Sequence, residues 1–238
     1  MILDICPSPA LYPYYQQEND TVIVVDIFRA STTICHMLHN GATAVIPVAD
    51  IDEAKRHKEK GYLVGAERNT RKCDFADCGN SPFDYTAERV KGREVVFTTT
   101  NGTMAIKQSE DARELLIGSF SNIGALISHC IERSEHIVVL CAGWNNRINM
   151  EDMLFGGAFF ERLSSRRRIS FGSDSVRIAQ LLWQLAKKDL LTFLQESDHY
   201  PRLVANSAVG DVAYCLNSDT LSVVPLYHPA DKKIRAHP

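Results

Sequence analysis

Four β-favouring residues, Val22-Ile23-Val24-Val25, run straight into Asp26, and Ile27-Phe28-Arg29-Ala30-Ser31-Thr32-Thr33 follows before a helical apolar pattern begins. An unbroken apolar run of this length reads as a strand buried on both faces, with a polar turn that opens a helix. That arrangement belongs to α/β proteins, where ligands sit at the carboxyl ends of the strands. An acid at such a place can hold a metal or attack as a nucleophile, and an arginine can fork onto a phosphate or carboxylate. Hydroxyls and free N–H groups at the helix start add further anion donors.

The rest of the chain extends the pattern. Apolar β-branched runs predict strands near residues 2–5, 22–26, 44–48, 62–65, 94–98, 115–117, 137–141 and 222–226. Helical patterns fall at 31–39, stopped by Asn40-Gly41, at 52–60, stopped by Gly61, and at 150–163 and 175–187. Ser81-Pro82-Phe83-Asp84 reads as another helix start. The alternation predicts a three-layer α/β/α sandwich around a largely parallel, or mixed, sheet. A partial internal duplication fits too. The Val24–Asp26 strand leads through Ser31-Thr32-Thr33 into a βαβαβ series, and Val95-Val96-Phe97 leads through Thr98-Thr99-Thr100 into another. Each hydroxyl-rich turn is expected at the same sheet edge. No linker divides the 238 residues, so one domain is expected over 1–238, with 230–238 as a solvated tail. The longest irregular stretch, 68–81, has the length of a functional loop.

Several function classes are disfavoured. A net charge of −3 gives no electrostatic case for nucleic acid, and the Arg166-Arg167-Arg168 cluster reads as a solvated helix end. The apolar runs are strand-sized, well short of the roughly 20 residues of a spanning helix, so no membrane partner is expected. The first residues lack the basic start of a secretory signal. Seven scattered cysteines, several in apolar runs, fit buried thiols and a cytoplasmic location, and a homodimer is the base-rate expectation. There is no Gly-x-x-x-x-Gly-Lys loop and no Gly-x-Gly-x-x-Gly turn after a strand. A dehalogenase-type phosphatase needs a second acid two residues after Asp26, where this chain has Phe28. No cysteine sits in an arginine-flanked phosphate loop.

Polar residues follow several strand ends: Asp26 and Arg29, Glu67 and Arg68, the Thr98–Thr103 run, and Gly143, with Glu151-Asp152 soon after. Each has a plain structural explanation, since Ser81 can simply cap a helix and Glu151 and Asp152 suit a helix N-terminus. Jointly they suit metal-assisted phosphoryl transfer on a small anionic phosphate ester. Mg2+ takes only one or two protein carboxylates, for which Asp26, Glu67, Glu151 and Asp152 are candidates. Asp26, Arg29 and Glu67 are the catalytic candidates, with Asp26 either a Mg2+ ligand or a nucleophile. Ser31, Thr32, Arg68, Asn80, Ser81, Thr100, Asn101, Gly102, Thr103 and Gly143 are the candidate holders of substrate oxygens.

The order of motifs is more specific. Val25-Asp26-Ile27-Phe28-Arg29-Ala30-Ser31-Thr32-Thr33-Ile34, Gly79-Asn80-Ser81-Pro82, Thr99-Thr100-Asn101-Gly102-Thr103, Ala142-Gly143 and Glu151-Asp152 occur in sequence. A tail pattern of His199, Arg202-Leu203, Gly210-Asp211-Val212 and Val224-Pro225 follows. Together these resemble the 2-phosphosulfolactate phosphatase family across nearly the whole chain. The resemblance implies a Mg2+-dependent phosphatase that converts (R)-2-phospho-3-sulfolactate to 3-sulfolactate and phosphate, a step that feeds coenzyme M synthesis in methanogens. Two departures bear on substrate: Met104 stands where the family usually has arginine, and Phe75-Ala76-Asp77 replaces Gly-Phe-Asp. Loss of the arginine keeps two alternatives in play, a non-catalytic anion sensor and a phosphatase for another acidic ester.

Overall fold

The computed structural model describes residues 1–206 and 208–237. Its central feature is a mixed sheet of eleven strands. In chain order the strands are β1 (Ile2–Cys6), β2 (Thr21–Val25), β3 (Ala44–Pro47), β4 (Leu63–Arg68), β5 (Arg71–Lys72), β6 (Glu94–Thr98), β7 (Glu114–Gly118), β8 (His136–Cys141), β9 (Ser170–Phe171), β10 (Pro225–His228) and β11 (Lys233–Ala236). The helices are α1 (Ala30–His39), α2 (Ile51–Glu59), α3 (Ala87–Val90), α4 (Gly102–Gln108), α5 (Ile123–Arg133), α6 (Met150–Ser164), α7 (Asp174–Ala186), α8 (Leu190–Leu194), α9 (Tyr200–Ala205) and α10 (Val209–Cys215).

Strand β2 shows why the sandwich forms. All five of its residues are buried, and side chains of a strand alternate between faces. Ile23 and Val25 enter one core with Phe155, Phe159 and Trp183 of α6 and α7. Val22 and Val24 enter a second core with Ile34 and Met37 of α1 and Ala105 and Ile106 of α4. Helices therefore cover both faces, and the α/β/α reading holds.

The strand order is β5-β4-β6-β3-β11-β10-β7-β2-β8-β1-β9. The first strand of each expected βαβαβ unit lies between the second and third strands of the other unit. Thus β6 separates β3 from β4, and β2 separates β7 from β8, with every contact parallel. The β10–β11 hairpin joins the halves. It is antiparallel within itself, antiparallel to β7 and antiparallel to β3. Three reversals make the two halves run in opposite directions. The two hydroxyl-rich turns therefore leave opposed edges rather than the same edge of a flat sheet. They still meet, because a Cβ built on Gly102 would stand 2.8 Å from Asp26 Oδ2, so the sheet must curl.

Residues 230–238 depart from the solvated-tail expectation. β11 lies inside the sheet and Ile234 is fully buried, because the single apolar side chain among charged neighbours fills the seam between the halves. Pro238 is outside the described residues. The 68–81 stretch is pinned: β5 pairs with β4, and Asp77 accepts the Val64 amide at 2.9 Å. Ser81 precedes a short 3-10 turn, Pro82–Asp84, rather than a long helix. All seven cysteines are free, and all but Cys73 are buried.

Candidate active site

The turn after β2 is closed on itself before it meets any other element. Ser31 Oγ donates to the Asp26 carbonyl at 2.9 Å and accepts the Asp26 amide at 3.1 Å. These two hydrogen bonds hold Asp26 at the strand end, with its carboxylate turned toward α4. The start of α4 comes so close that a side chain at position 102 would strike both Asp26 Oδ2 and Ala30 Cβ at 2.8 Å, so only glycine serves there.

Three more buried acids surround Asp26. Asp152, at the start of α6, accepts the Ile27 amide at 2.9 Å on one oxygen and the Gly143 amide at 3.0 Å on the other. It thereby clamps the ends of β2 and β8 together. Glu67, at the end of β4, accepts the Thr100 hydroxyl at 3.1 Å and the Thr70 amide at 2.5 Å. Glu151 Oε1 lies 2.6 Å from His199 Nδ1, and the pair is almost wholly buried. The other oxygen of Glu151 and Nε2 of His199 are buried without a hydrogen-bond partner.

The charge balance follows from this crowding. Burial pushes the Asp26 carboxyl up to about 6, His199 opposes that rise, and Glu67 and Glu151 add to it. Burial, then Glu151 and Asp26, holds Asp152 well above the usual carboxylate range. Two amide hydrogen bonds oppose the rise at Asp152 without cancelling it.

The arginines are engaged differently. Arg29 Nη1 pairs with Asp211 at 2.5 Å, its Nη2 donates to the Thr70 carbonyl at 3.3 Å, and Ser81 donates to the same Asp211 at 2.7 Å. Arg29, Thr70, Arg71, Lys72, Gly79, Asn80, Ser81, Asp84 and Asn206 line a cleft of about 350 Å3. Arg68 is tied to the Glu67 and Ala49 carbonyls and to the Thr98 hydroxyl.

Asp26, Glu67, Thr100, Gly102, Glu151 and Asp152 thus converge, although they come from both halves of the sheet. Other candidates are committed elsewhere. Ser31 serves the Asp26 backbone, Thr32 reaches the Ile27 carbonyl at 3.3 Å, and Thr103 bonds Thr99. Asn101 accepts the Asn145 amide at 3.2 Å, and Asn80 keeps a buried, unpartnered Oδ1. His199, Arg202 and Asp211 stood in the tail pattern without a role. No strand–helix alternation marks that region, and only their motif set them apart.

The donor set suits a hard cation. Asp26 feels the charges of Glu67 and Glu151, Asp152 feels those of Glu151 and Asp26, and Glu151 has one oxygen without a hydrogen-bond partner. Among the described residues no three His, Cys, Asp or Glu side chains group tightly enough to enclose an ion by themselves. Among the described residues no helix is long and apolar enough to cross a membrane.

Comparison with known proteins agrees with the motif order. Residues 6–229 match the family model described as 2-phosphosulpholactate phosphatase. A probable 2-phosphosulfolactate phosphatase of Pseudothermotoga lettingae is 37% identical over 211 residues, covering 88% of this chain and 90% of the relative. One from Thermotoga petrophila is 36% identical over 208 residues, 87% and 89% of the two chains. One from Caldanaerobacter subterraneus is 33% identical over 225 residues, 90% and 92% of the two chains.

Proposed function

Because the chain belongs to the 2-phosphosulfolactate phosphatase family, we propose that it is a Mg2+-dependent phosphatase that hydrolyses (R)-2-phospho-3-sulfolactate to 3-sulfolactate and phosphate. The observation that carries this reading is the buried cluster of Asp26, Glu67, Glu151 and Asp152 beside one histidine, where two opposed strand edges meet. Asp26 and Glu151 would hold the cation, the first because it keeps some exposure at the mouth and the second because one oxygen is uncommitted. When bound, Mg2+ would offset phosphoryl charge as a Lewis acid.

The remaining work falls to the chain's own groups. Glu67 fixes the Thr100 amide and hydroxyl, which shapes that turn. Glu151 orients His199 so that Nε2 would deliver a proton to the departing alkoxide oxygen. Asp152 keeps the β2 and β8 ends in register around the reacting group.

The test is phosphate release from a panel of small phosphate esters with Mg2+, including 2-phospho-3-sulfolactate. We expect release that EDTA abolishes, and a loss on the order of 1,000-fold or more in Asp26→Asn with the fold intact. Full activity in Asp26→Asn, or release unchanged by EDTA, would contradict the assignment. Binding of the sulfonate ester without release would favour the sensor reading, which Met104, 45% exposed at the α4 start, keeps in view.

A further inference from the structure

Helix α9 lays one face across the mouth of the site. His199, Arg202 and Asn206 stand at its start, three residues on and seven residues on, so they form a single stripe. His199 reaches Glu151 at the carboxylate cluster. Asn206 accepts Arg71 Nε at 2.9 Å, beside the 350 Å3 cleft. Arg202 lies between these two ends.

The surroundings of Arg202 are unusual for a cation. Its guanidinium carbon lies over Trp144, 4.3 Å from the ring centroid, and the Trp144 ring is 5.7 Å from that of His199. Stacking on an aromatic face fixes the guanidinium plane and leaves the edge donors free. Its Nε is buried without a hydrogen-bond partner, and no carboxylate pairs with it among the described residues. Arg29, by contrast, is paired with Asp211, and Arg68 is bound to carbonyls and a threonine. A buried donor left unmatched in this way is costly unless a ligand meets it.

We propose that Arg202, held against the Trp144 ring, receives the second anionic group of the substrate, its sulfonate or carboxylate, and so selects acidic phosphate esters over simple ones. This rests on the phosphatase reading above and adds the residue that sets specificity. A guanidinium fork matches a planar or tetrahedral oxyanion with two parallel N–H donors. Arg202 is half-buried, its Nε is unmatched, and it stands three residues from His199.

The experiment pairs binding with kinetics in Arg202→Gln, Arg202→Lys and Trp144→Leu. Calorimetric titration with 3-sulfolactate needs no turnover, so it reads Arg202 even if phosphate release fails. We expect Arg202→Gln to weaken 3-sulfolactate binding on the order of 10- to 100-fold. The same variant should raise KM for 2-phospho-3-sulfolactate by a similar factor while kcat stays within about threefold. Phenyl phosphate, which has no second anion, should keep its KM within about twofold. Arg202→Lys should recover part of the loss, and Trp144→Leu should move in the same direction as Arg202→Gln. With 2-phospholactate, a persisting KM effect identifies the carboxylate as the partner, and a vanishing one identifies the sulfonate. Equal losses on both ester types, unchanged 3-sulfolactate affinity in Arg202→Gln, or no 3-sulfolactate binding by the unaltered protein would overturn the assignment. Failure of phosphate release alone would instead remove the phosphatase reading.

Discussion

Asp26 concentrates the conflict between folding and function in one side chain. Burial raises its pKa from the ordinary 3.8 to about 6, so the folded chain binds this proton more tightly than the unfolded one. The stability it contributes is therefore complete below about pH 4 and declines as pH rises through 6. Asp26→Asn cannot ionise, so it escapes that decline. In EDTA at pH 8 we expect the variant to be more stable than the parent by roughly 3 kcal/mol, with the advantage gone at pH 4. Thermal unfolding at both pH values checks this, and a variant no more stable at pH 8 would show that Asp26 is not destabilised by its burial. At this scale the sequence was partly legible. Asp26 and Glu67 stood out because each follows an apolar strand. His199 did not, because it opens a short helix with no strand before it, and its tie to Glu151 spans 48 residues.

Among the elements, β4 shows how backbone approach governs placement. A Cβ at Gly65 would fall 1.8 Å from Tyr85 Oη and 2.9 Å from Phe97 Cδ2. That hydroxyl is needed where it is, since it donates to the Gly79 carbonyl at 2.6 Å in the segment that ends at Asn80. Gly65→Ala should therefore lower unfolding free energy by about 3 kcal/mol, through overpacking and loss of this hydrogen bond. Urea unfolding measures the effect, and Tyr85→Phe in the same background should restore part of it by removing the clashing oxygen. A change below about 0.5 kcal/mol would mean the strand relaxes freely. Strands such as β2 and β8 were readable because their apolar runs are continuous. β5, β9 and β11 were not, since each is short or mostly polar and owes its strand character to pairing.

Across the whole molecule, the amino ends of three strands are tied by a buried Asp–His–Asp bridge. His136 Nε2 lies 3.0 Å from Asp4 and its Nδ1 lies 2.6 Å from Asp20, with Ser173 donating to Asp4 at 2.6 Å. The Asp4 hydrogen bond raises the His136 pKa against burial, with Asp20 assisting. Burial works to raise Asp4, but the His136 and Ser173 hydrogen bonds overcome it and leave its pKa lowered. The histidine's share of stability is complete below its unfolded pKa of about 6.5 and lost as pH rises through the raised value. The aspartate's share is present above its unfolded pKa and lost as pH falls through the lowered one. His136→Gln should thus cost about 3 kcal/mol near pH 6 and less at both pH 9 and pH 3. Scanning calorimetry across that range tests it, and a gap independent of pH would refute the bridge.

The interleaving of the halves was beyond reach of local patterns, because β2 and β6 carry the same strand signal whichever neighbours they take. That interleaving has a further consequence. On a ribosome, β2 emerges long before its two partners, Glu114–Gly118 and His136–Cys141, have been made. Neither half of the chain can finish its own sheet, and β11, which follows both halves in the chain, closes the seam. Sheet assembly therefore waits until these later strands have emerged, and an apolar β2 stretch must stay shielded from other chains until then.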